Sequence, residues 1–416
     1  MLSRRCAYRS QVSRGAHGVC TMFSSDGMTC PPDADGTAAC GHRRRCSGLI
    51  GCALLASEAA AHVARLCRSN PRLLSMLVQE KCGDDANSSR FAHDFKTLAD
   101  VLVQRVVSKR IGRQFPELEG NVYGEENDTI QNNKGQDVTI QVGETVEETL
   151  QCLTKALGDD LDSAKSLAEA AHKEFESKDL NVDCYPPEEE NLDLEKIGIW
   201  IDPIDSTNEY INGNVDTINE YGFHSSGLHC VTVNIGLFDK YSGKPIAGVI
   251  NQPFFEFDAV NGWNGRCYWA YCDGQKSLNS LPEFISCNQE LVVTSNSETD
   301  AAKAALRRSG YTVATASGAG YKMLCVALGI VKCYALTKDS TYAWDTCAAH
   351  AMLASQGGKA CQCNTADGPL TYRPKTAGGG RAHCNAAGVI ASRDPQTVDR
   401  VHALLSPLHL HCSSSS

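Results

Sequence analysis

The stretch that most restricts this chain is an apolar run, Ile197 to Ile201, that passes without a break into Asp202-Pro203-Ile204-Asp205-Ser206-Thr207. A compact apolar run of this length reads as a buried strand. Two carboxylates three residues apart follow it directly, then two hydroxyls that look like the start of a helix. Pro203 stiffens the junction, so Asp202 and Asp205 can converge on one point. Hard divalent cations such as Mg²⁺ are held in this way by carboxylate and carbonyl oxygens. The two carboxylates and the Ile204 carbonyl would form half a metal cage, with the N–H groups of Ser206 and Thr207 facing a phosphate at the helix N-terminus. Taken alone, Asp205 or Ser206 reads equally well as an ordinary helix N-cap.

Two further acidic positions have a similar design. Gly124-Glu125-Glu126 ends an expected strand, Gly120 to Gly124, and adjacent carboxylates there repel unless solvent or a cation relieves them. Trp344-Asp345 precedes an expected helix over Thr346 to Ser355, where an acid also complements the helix dipole. Singly, these are a solvated loop and a cap; as a set of three they point to a metal centre.

The chain of 416 residues, 42% hydrophobic and 21% charged, is that of a globular protein with one or two packed domains. A formal net charge of -10 argues against bulk nucleic-acid binding, so an anionic ligand must meet local positive charge or metal. The 21 cysteines are an odd number, scattered without C-x-x-C spacing. They read as reduced core residues of a cytosolic protein. The apolar stretch Leu49 to Leu66 is interrupted by Ser57, Glu58, His62 and Arg65 and falls short of the roughly 20 apolar residues of a bilayer span. The expectations are a cytoplasmic location, with a mitochondrial alternative from the Arg-rich first residues, no membrane or nucleic-acid partner, and a monomer.

Residues 1–47 lack periodicity and read as an extension without its own fold, or as a transit-like segment. An N-terminal α+β domain is expected over 48–264, an α/β domain over 265–406 and a tail over 407–416. Helices are expected in Leu54–Leu66 and Leu73–Val78, and again on the face formed by Phe91, Phe95, Leu98, Leu102 and Val106, with Asp100 off that stripe. A polar loop follows Gly83, a strand covers Asp137–Val142, and Glu147–Glu176 is helical. Glu188 to Glu190 is a solvated turn. Cys230–Phe238 and Pro245–Val249 are strand-like. Then strand and helix alternate: Leu291–Thr294, Asp300–Arg308, Ile330–Leu336, Thr346–Ser355. Alternating helices and sheets in layers, an α/β class, result. His409, His411 and Cys412 read as part of a frayed tail.

Gly-Glu-Glu, then Asp-Pro-Ile-Asp-Ser-Thr, then Trp-Asp before a helix of small residues resembles, in this order, the signature of the lithium-sensitive, Mg²⁺-dependent phosphatases. That superfamily includes inositol monophosphatase and fructose 1,6-bisphosphatase. The stretches Phe95–Gln104, Gly248–Phe254, Gly318–Lys322 and Trp344–Ala351 are similar to its inositol polyphosphate 1-phosphatase branch. The likeness runs from about Leu49 to Leu405.

The resemblance implies an inositol-monophosphatase-like fold and metal ligands at Asp100, Glu125, Glu126, Asp202, the Ile204 carbonyl, Asp205 and Asp345, holding two or three Mg²⁺ that Li⁺ would antagonise. Asp205, Ser206, Thr207, Ser297, Gly318, Ala319, Lys322 and Ser340 would contact substrate. The implied reaction removes the 1-phosphate of inositol 1,4-bisphosphate and inositol 1,3,4-trisphosphate with metal-activated water. Glu125 would be the general base, assisted by Thr207 and Asp100. The branch usually carries a lysine where Thr299 stands here, so the grip on a non-reacting phosphate would be weaker. A lysine on a helix is usually solvated, but Gly318-Ala319-Gly320 immediately before Lys322 offers a close backbone approach to an anion, so Lys322 reads as a substrate contact. The alternatives are a 3′(2′),5′-bisphosphate nucleotidase, a non-catalytic scaffold relative, and a secreted cysteine-rich binding protein.

Overall fold

The computed structural model describes residues 48–70, 73–74, 78–80, 95–132, 134–158, 160–187, 192–282, 289–364, 368–375 and 380–412. The N-terminal extension, the loop 83–90, the turn 188–190 and residues 75–77 of the helix expected at 73–78 lie outside them, and Val78 belongs to a strand.

Helix α1, Leu49–Ser69, is longer than expected and long and apolar enough to cross a membrane by length and composition. Its apolar side chains are packed inside the protein instead, among them Leu54, Ala60 and Val63. Two of the polar residues that interrupt it, Glu58 and Arg65, form a salt bridge within the helix and also reach a neighbouring strand: Asn251 Nδ2 donates to Glu58 at 3.0 Å, and Arg65 donates to Pro253 O. Two short strands, β1 (Val78–Glu80) and β2 (Phe95–Thr97), pair antiparallel. The helix expected across Phe95 therefore starts only at Leu98, and α2 is Leu98–Gln114.

The first sheet has six strands. Its spatial order is β10 (Ser277–Asn279), β9 (Gly262–Cys272), β8 (Pro245–Asp258), β7 (Thr232–Asp239), β6 (Ile197–Asp205) and β3 (Val122–Gly124). All neighbours are antiparallel except β3 and β6. A small pair, β4 (Thr129–Gln131) and β5 (Asp137–Thr139), lies apart. The helical stretch 147–176 is two helices, α3 (Val146–Ala156) and α4 (Leu161–His172). Gly158 at φ 62° ends the first turn region and Asp160 caps the second helix.

Short α5, Thr207–Asn212, follows β6 directly. The second sheet is ordered β12 (Thr312–Thr315), β11 (Leu291–Thr294), β13 (Cys333–Leu336), β15 (Val389–Ser392), β14 (Lys359–Gln362). Its first three strands are parallel and the rest antiparallel. Helices α6 (Asp300–Arg308), α7 (Ala319–Ala327), α8 (Ala343–Ser355) and α9 (Pro395–Cys412) complete the chain. β9 crosses the boundary expected at 264/265, so the first sheet runs to Asn279, and the described residues fall in one compact unit. The residues assigned to a tail from 407 continue α9 as far as Cys412.

Three buried clusters give the layering. One fills the space between α1, α2 and the first sheet; a second, with Trp200, Tyr334 and Ala348, joins the two sheets through α7 and α8; a third lies under α6 and α9. Helix and sheet layers thus alternate as α, β, α, β, α. Helix α8 approaches the first sheet closely because it meets glycines. A Cβ on Gly248 would lie 2.2 Å from Ala348 O, and one on Gly236 2.5 Å from Cys347 Cβ. The small residues of α8 and these glycines place Asp345 over the sheet. The cysteines of described surroundings are free thiols, most of them buried in these cores.

Candidate active site

In a regular strand, residues three apart point to opposite faces. Asp202 and Asp205 escape that rule because β6 bulges against β7: Asp202 pairs with Asn234 and Asp205 with Thr232, so three steps on β6 match two on β7. Pro203, with no N–H to donate, sits inside the irregularity, where a sheet tolerates it. The junction is thus a bulged strand end, not a turn. Side-chain oxygens of Asp202, Asp205 and Asp345 all lie within 4.8 Å of one another. Asp345 is the third residue of α8, which begins at Ala343, three residues before the expected start. One of its oxygens accepts the Tyr342 N–H at 2.5 Å, so the capping reading and the cluster reading both hold.

Strand β3 pairs parallel to β6, with Gly124 opposite Ile201, and Glu125 N donates to Ile201 O at 3.1 Å. Glu125 therefore stands beside Asp202. Burial and the charges of Asp205, Glu125, Asp345 and Asp100 hold Asp202 well above the usual carboxylate range. Asp345 is raised well above it too, by burial first and then by Asp205 and Glu125. Burial also raises Asp205, against the pull of Lys322 and the Gly320 N–H. Five carboxylates thus act on one another, three of them in close contact. Glu126 is buried, and its backbone is held from α2 by Gln104.

Asp202 Oδ1 is buried without a hydrogen-bond partner. Like charges forced together, an orphaned carboxylate oxygen and an all-oxygen donor set fit a hard divalent cation of the Mg²⁺ kind. The Ile204 carbonyl accepts the Thr207 hydroxyl at 3.2 Å, which leaves one lone pair. Ser206 is the only non-glycine residue with positive φ among the described residues, at φ 71°. Such a conformation costs about 1–2 kcal/mol and is tolerated where the surroundings impose it.

The other wall comes from the second sheet. The parallel strands β11, β12 and β13 release their chains at one edge, and ligands of α/β sheets bind outside the carboxyl ends of strands. Ser297 follows β11, Gly318 and Ala319 follow β12, and Ser340 follows β13. Gly320 N donates to Asp205 Oδ2 at 2.7 Å, tying the turn after β12 to the carboxylates. Lys322 is neither solvated nor at the surface. It is 4% exposed, its ammonium donates to Ala316 O at 3.0 Å, and it faces Asp205 and Asp345, whose charges oppose the lowering of its pKa by burial. Ser297 is exposed, with its hydroxyl 3.0 Å from that of Ser295, and Ser340 is half-buried. Neither is joined to the carboxylate cluster by a described bond.

Several supporting residues escaped sequence reasoning. Thr232 and Asn234 on β7 reach Asp205 at 3.4 Å and Asp202 at 3.5 Å. Buried Glu298 joins the loop after β11 to the loop after β13, accepting from Thr337 N at 2.6 Å and Thr337 Oγ1 at 2.7 Å. The signal available for β7 was a pair of polar residues inside an otherwise apolar strand.

A model described as the inositol monophosphatase family matches residues 55–403. Inositol polyphosphate 1-phosphatase of Mus musculus is 38% identical over 379 residues, covering 83% of this chain and 94% of that protein. The Homo sapiens protein of the same name is 39% identical over 325 residues, 73% and 80% of the two chains. The 3′(2′),5′-bisphosphate nucleotidase 1 of Rattus norvegicus is 25% identical over 304 residues, 72% and 80% of the two chains.

Proposed function

The chain belongs to the inositol monophosphatase family and is a phosphoric monoester hydrolase, and on that premise we propose that it is Mg²⁺-dependent, lithium-inhibited and directed at the 1-phosphate of inositol 1,4-bisphosphate and inositol 1,3,4-trisphosphate. The observation that carries the metal reading is the convergence of Asp202, Asp205 and Asp345 with an unpartnered buried oxygen on Asp202. The substrate reading is supported by the names of relatives at 38–39% identity over most of the chain.

Asp100, Glu125, Glu126, Asp202, the Ile204 carbonyl, Asp205 and Asp345 would hold the cations. Bound Mg²⁺ supplies Lewis acidity toward the attacking water and the leaving oxygen. The protein's own part is positional and electrostatic. Thr207 has its hydroxyl oriented by Ile204 O, so its oxygen lone pairs are free to accept from a water. Glu125, half-exposed beside Asp202, takes the water's proton. The backbone of Ser206 and of Gly318 and Ala319 meets the phosphate from two sides, and buried Lys322 offsets the carboxylate charge behind it. Ser297 and Ser340 would meet the ring and its second phosphate.

The test is phosphate release by the purified chain with Mg²⁺ from inositol 1,4-bisphosphate, inositol 1-phosphate and 3′-phosphoadenosine 5′-phosphate, each with and without Li⁺. Lithium-inhibited, selective removal of the 1-phosphate from the bisphosphate is expected. Preference for the nucleotide would transfer the chain to the nucleotidase reading, and no release from any of them would favour a scaffold.

A further inference from the structure

We propose that Glu209, which none of the roles above includes, is a positioning residue that latches two loops onto the helix carrying Thr207; its consequence for catalysis rests on the phosphatase reading. Glu209 lies on α5, and its two carboxylate oxygens serve different segments. Oε2 accepts the Gly227 N–H at 2.7 Å and Oε1 accepts the Ser317 hydroxyl at 2.7 Å.

Each partner is a key point of its own segment. Gly227 closes the excursion 213–227: Leu228 N donates to Asn214 O at 2.8 Å. Gly227 itself has φ 82°, and a Cβ there would stand 2.5 Å from Asn214 O. Ser317 opens the turn into α7 and donates its own N–H to Ser225 O at 3.1 Å, joining the two segments to each other. Immediately beyond it come Gly318, Ala319 and Gly320. A Cβ on Gly318 would lie 2.9 Å from Ser206 Oγ, and Gly320 N holds Asp205 Oδ2. One carboxylate thus sets the distance between α5, with Thr207, and the turn that faces the phosphate from the other side.

Both oxygens are engaged by protein donors, which separates Glu209 from a proton-transfer role. Glutamine preserves the latch, because its amide oxygen can accept from Gly227 N while its NH₂ donates to the Ser317 hydroxyl oxygen. Alanine removes both bonds and leaves a buried N–H without a partner.

The experiment compares the full chain with its E209A and E209Q variants in two ways: steady-state hydrolysis of inositol 1,4-bisphosphate with Mg²⁺, and hydrogen exchange of peptides covering 213–231 and 316–327. For E209A, KM should rise about fivefold or more with kcat changed by less than about threefold, and exchange in both peptides should accelerate about tenfold. E209Q should stay within about twofold of the parent in KM and kcat and keep its exchange protection. Loss of kcat in E209Q equal to that in E209A would overturn the proposal in favour of a chemical role for the charge, and unchanged exchange in E209A would overturn the latch. A parent chain inert on the bisphosphate would defeat the phosphatase reading alone, since the exchange comparison judges the latch without it.

Discussion

Gln104 holds the backbone of Glu126 from both sides: its Nε2 donates to Glu126 O at 2.6 Å and its Oε1 accepts from Glu126 N at 2.9 Å. The amide of a helix residue thereby takes up the pairing where the bond of Glu125 N to Ile201 O on β6 leaves off. It also explains the glycine of Gly-Glu-Glu, since a Cβ on Gly124 would fall 2.1 Å from Gln104 Oε1. Asp100 is one helical turn from Gln104, so α2 supplies one carboxylate and anchors the residue that carries another. Removing the amide takes away both of these buried hydrogen bonds, at about 0.5–1.5 kcal/mol each. Gln104→Ala is expected to raise the Mg²⁺ concentration for half-maximal activity by about tenfold or more, with a smaller loss at saturating Mg²⁺. A Mg²⁺ titration of initial rates reads both quantities. An unchanged midpoint would detach Gln104 from the metal centre.

The repulsion among the carboxylates makes a two-sided prediction for Asp202→Asn. Asp202 and Asp345 are raised well above their ordinary value of 3.8. A carboxylate whose folded pKa lies above its unfolded pKa supports the fold fully below the unfolded value, and that support is lost as pH rises through the folded one. Chelated, metal-free protein should therefore lose stability as pH rises above the ordinary carboxylate range. Asparagine at 202 removes one of the charges, so the metal-free variant should melt above the metal-free parent at pH 7, and Mg²⁺ should raise its Tm less. Turnover should fall by about three orders of magnitude or more. Thermal melts with EDTA and with Mg²⁺, beside activity, decide it: a lower metal-free Tm or full turnover would remove Asp202 from a cation site.

Legibility in the sequence followed how local each feature is. The strand into Asp202, the helix Asp300–Arg308 and the strand Leu291–Thr294 were readable because apolar run, cap and turn residues lie side by side. The meeting of Asp202 with Asp205 was legible as a motif but not as geometry: the bulge exists only against β7, and no local signal in β6 states it. Phe95 looked helical from its spacing with Leu98 and Leu102, yet β1, more than a dozen residues earlier, draws it into a strand pair. For Lys322 the neighbouring Gly318-Ala319-Gly320 already pointed away from a solvated side chain, but its depth of burial was not legible. A lysine on a helix is ordinarily solvated, and only the packing of α7 between two sheets encloses it beside Asp205 and Asp345. Leu49–Ser69 shows the same limit, since its charged interruptions Glu58 and Arg65 are satisfied by Asn251 and Pro253, 193 and 188 residues away.

Thr299 stands where the resemblance leads one to expect a lysine, and it has a task of its own. Its Oγ1 accepts the Ala302 N–H at 3.2 Å as the N-cap of α6, while its own N–H donates to Glu298 Oε1 at 2.6 Å. Thr299→Lys therefore changes two things with opposite signs. Losing the cap costs about 1 kcal/mol of stability, a fall of a few degrees at most in Tm for a chain this long. The added ammonium, at the carboxyl edge of β11 two residues beyond Ser297, can meet a phosphate that does not react. The two effects separate by substrate, because a cap lost far from the reacting bond acts on every substrate alike, whereas the ammonium acts only where a second phosphate is present. KM for inositol 1,4-bisphosphate should fall about threefold or more while KM for inositol 1-phosphate stays the same. Equal changes for both substrates, or none, would place residue 299 outside the pocket and leave it only its role as a cap.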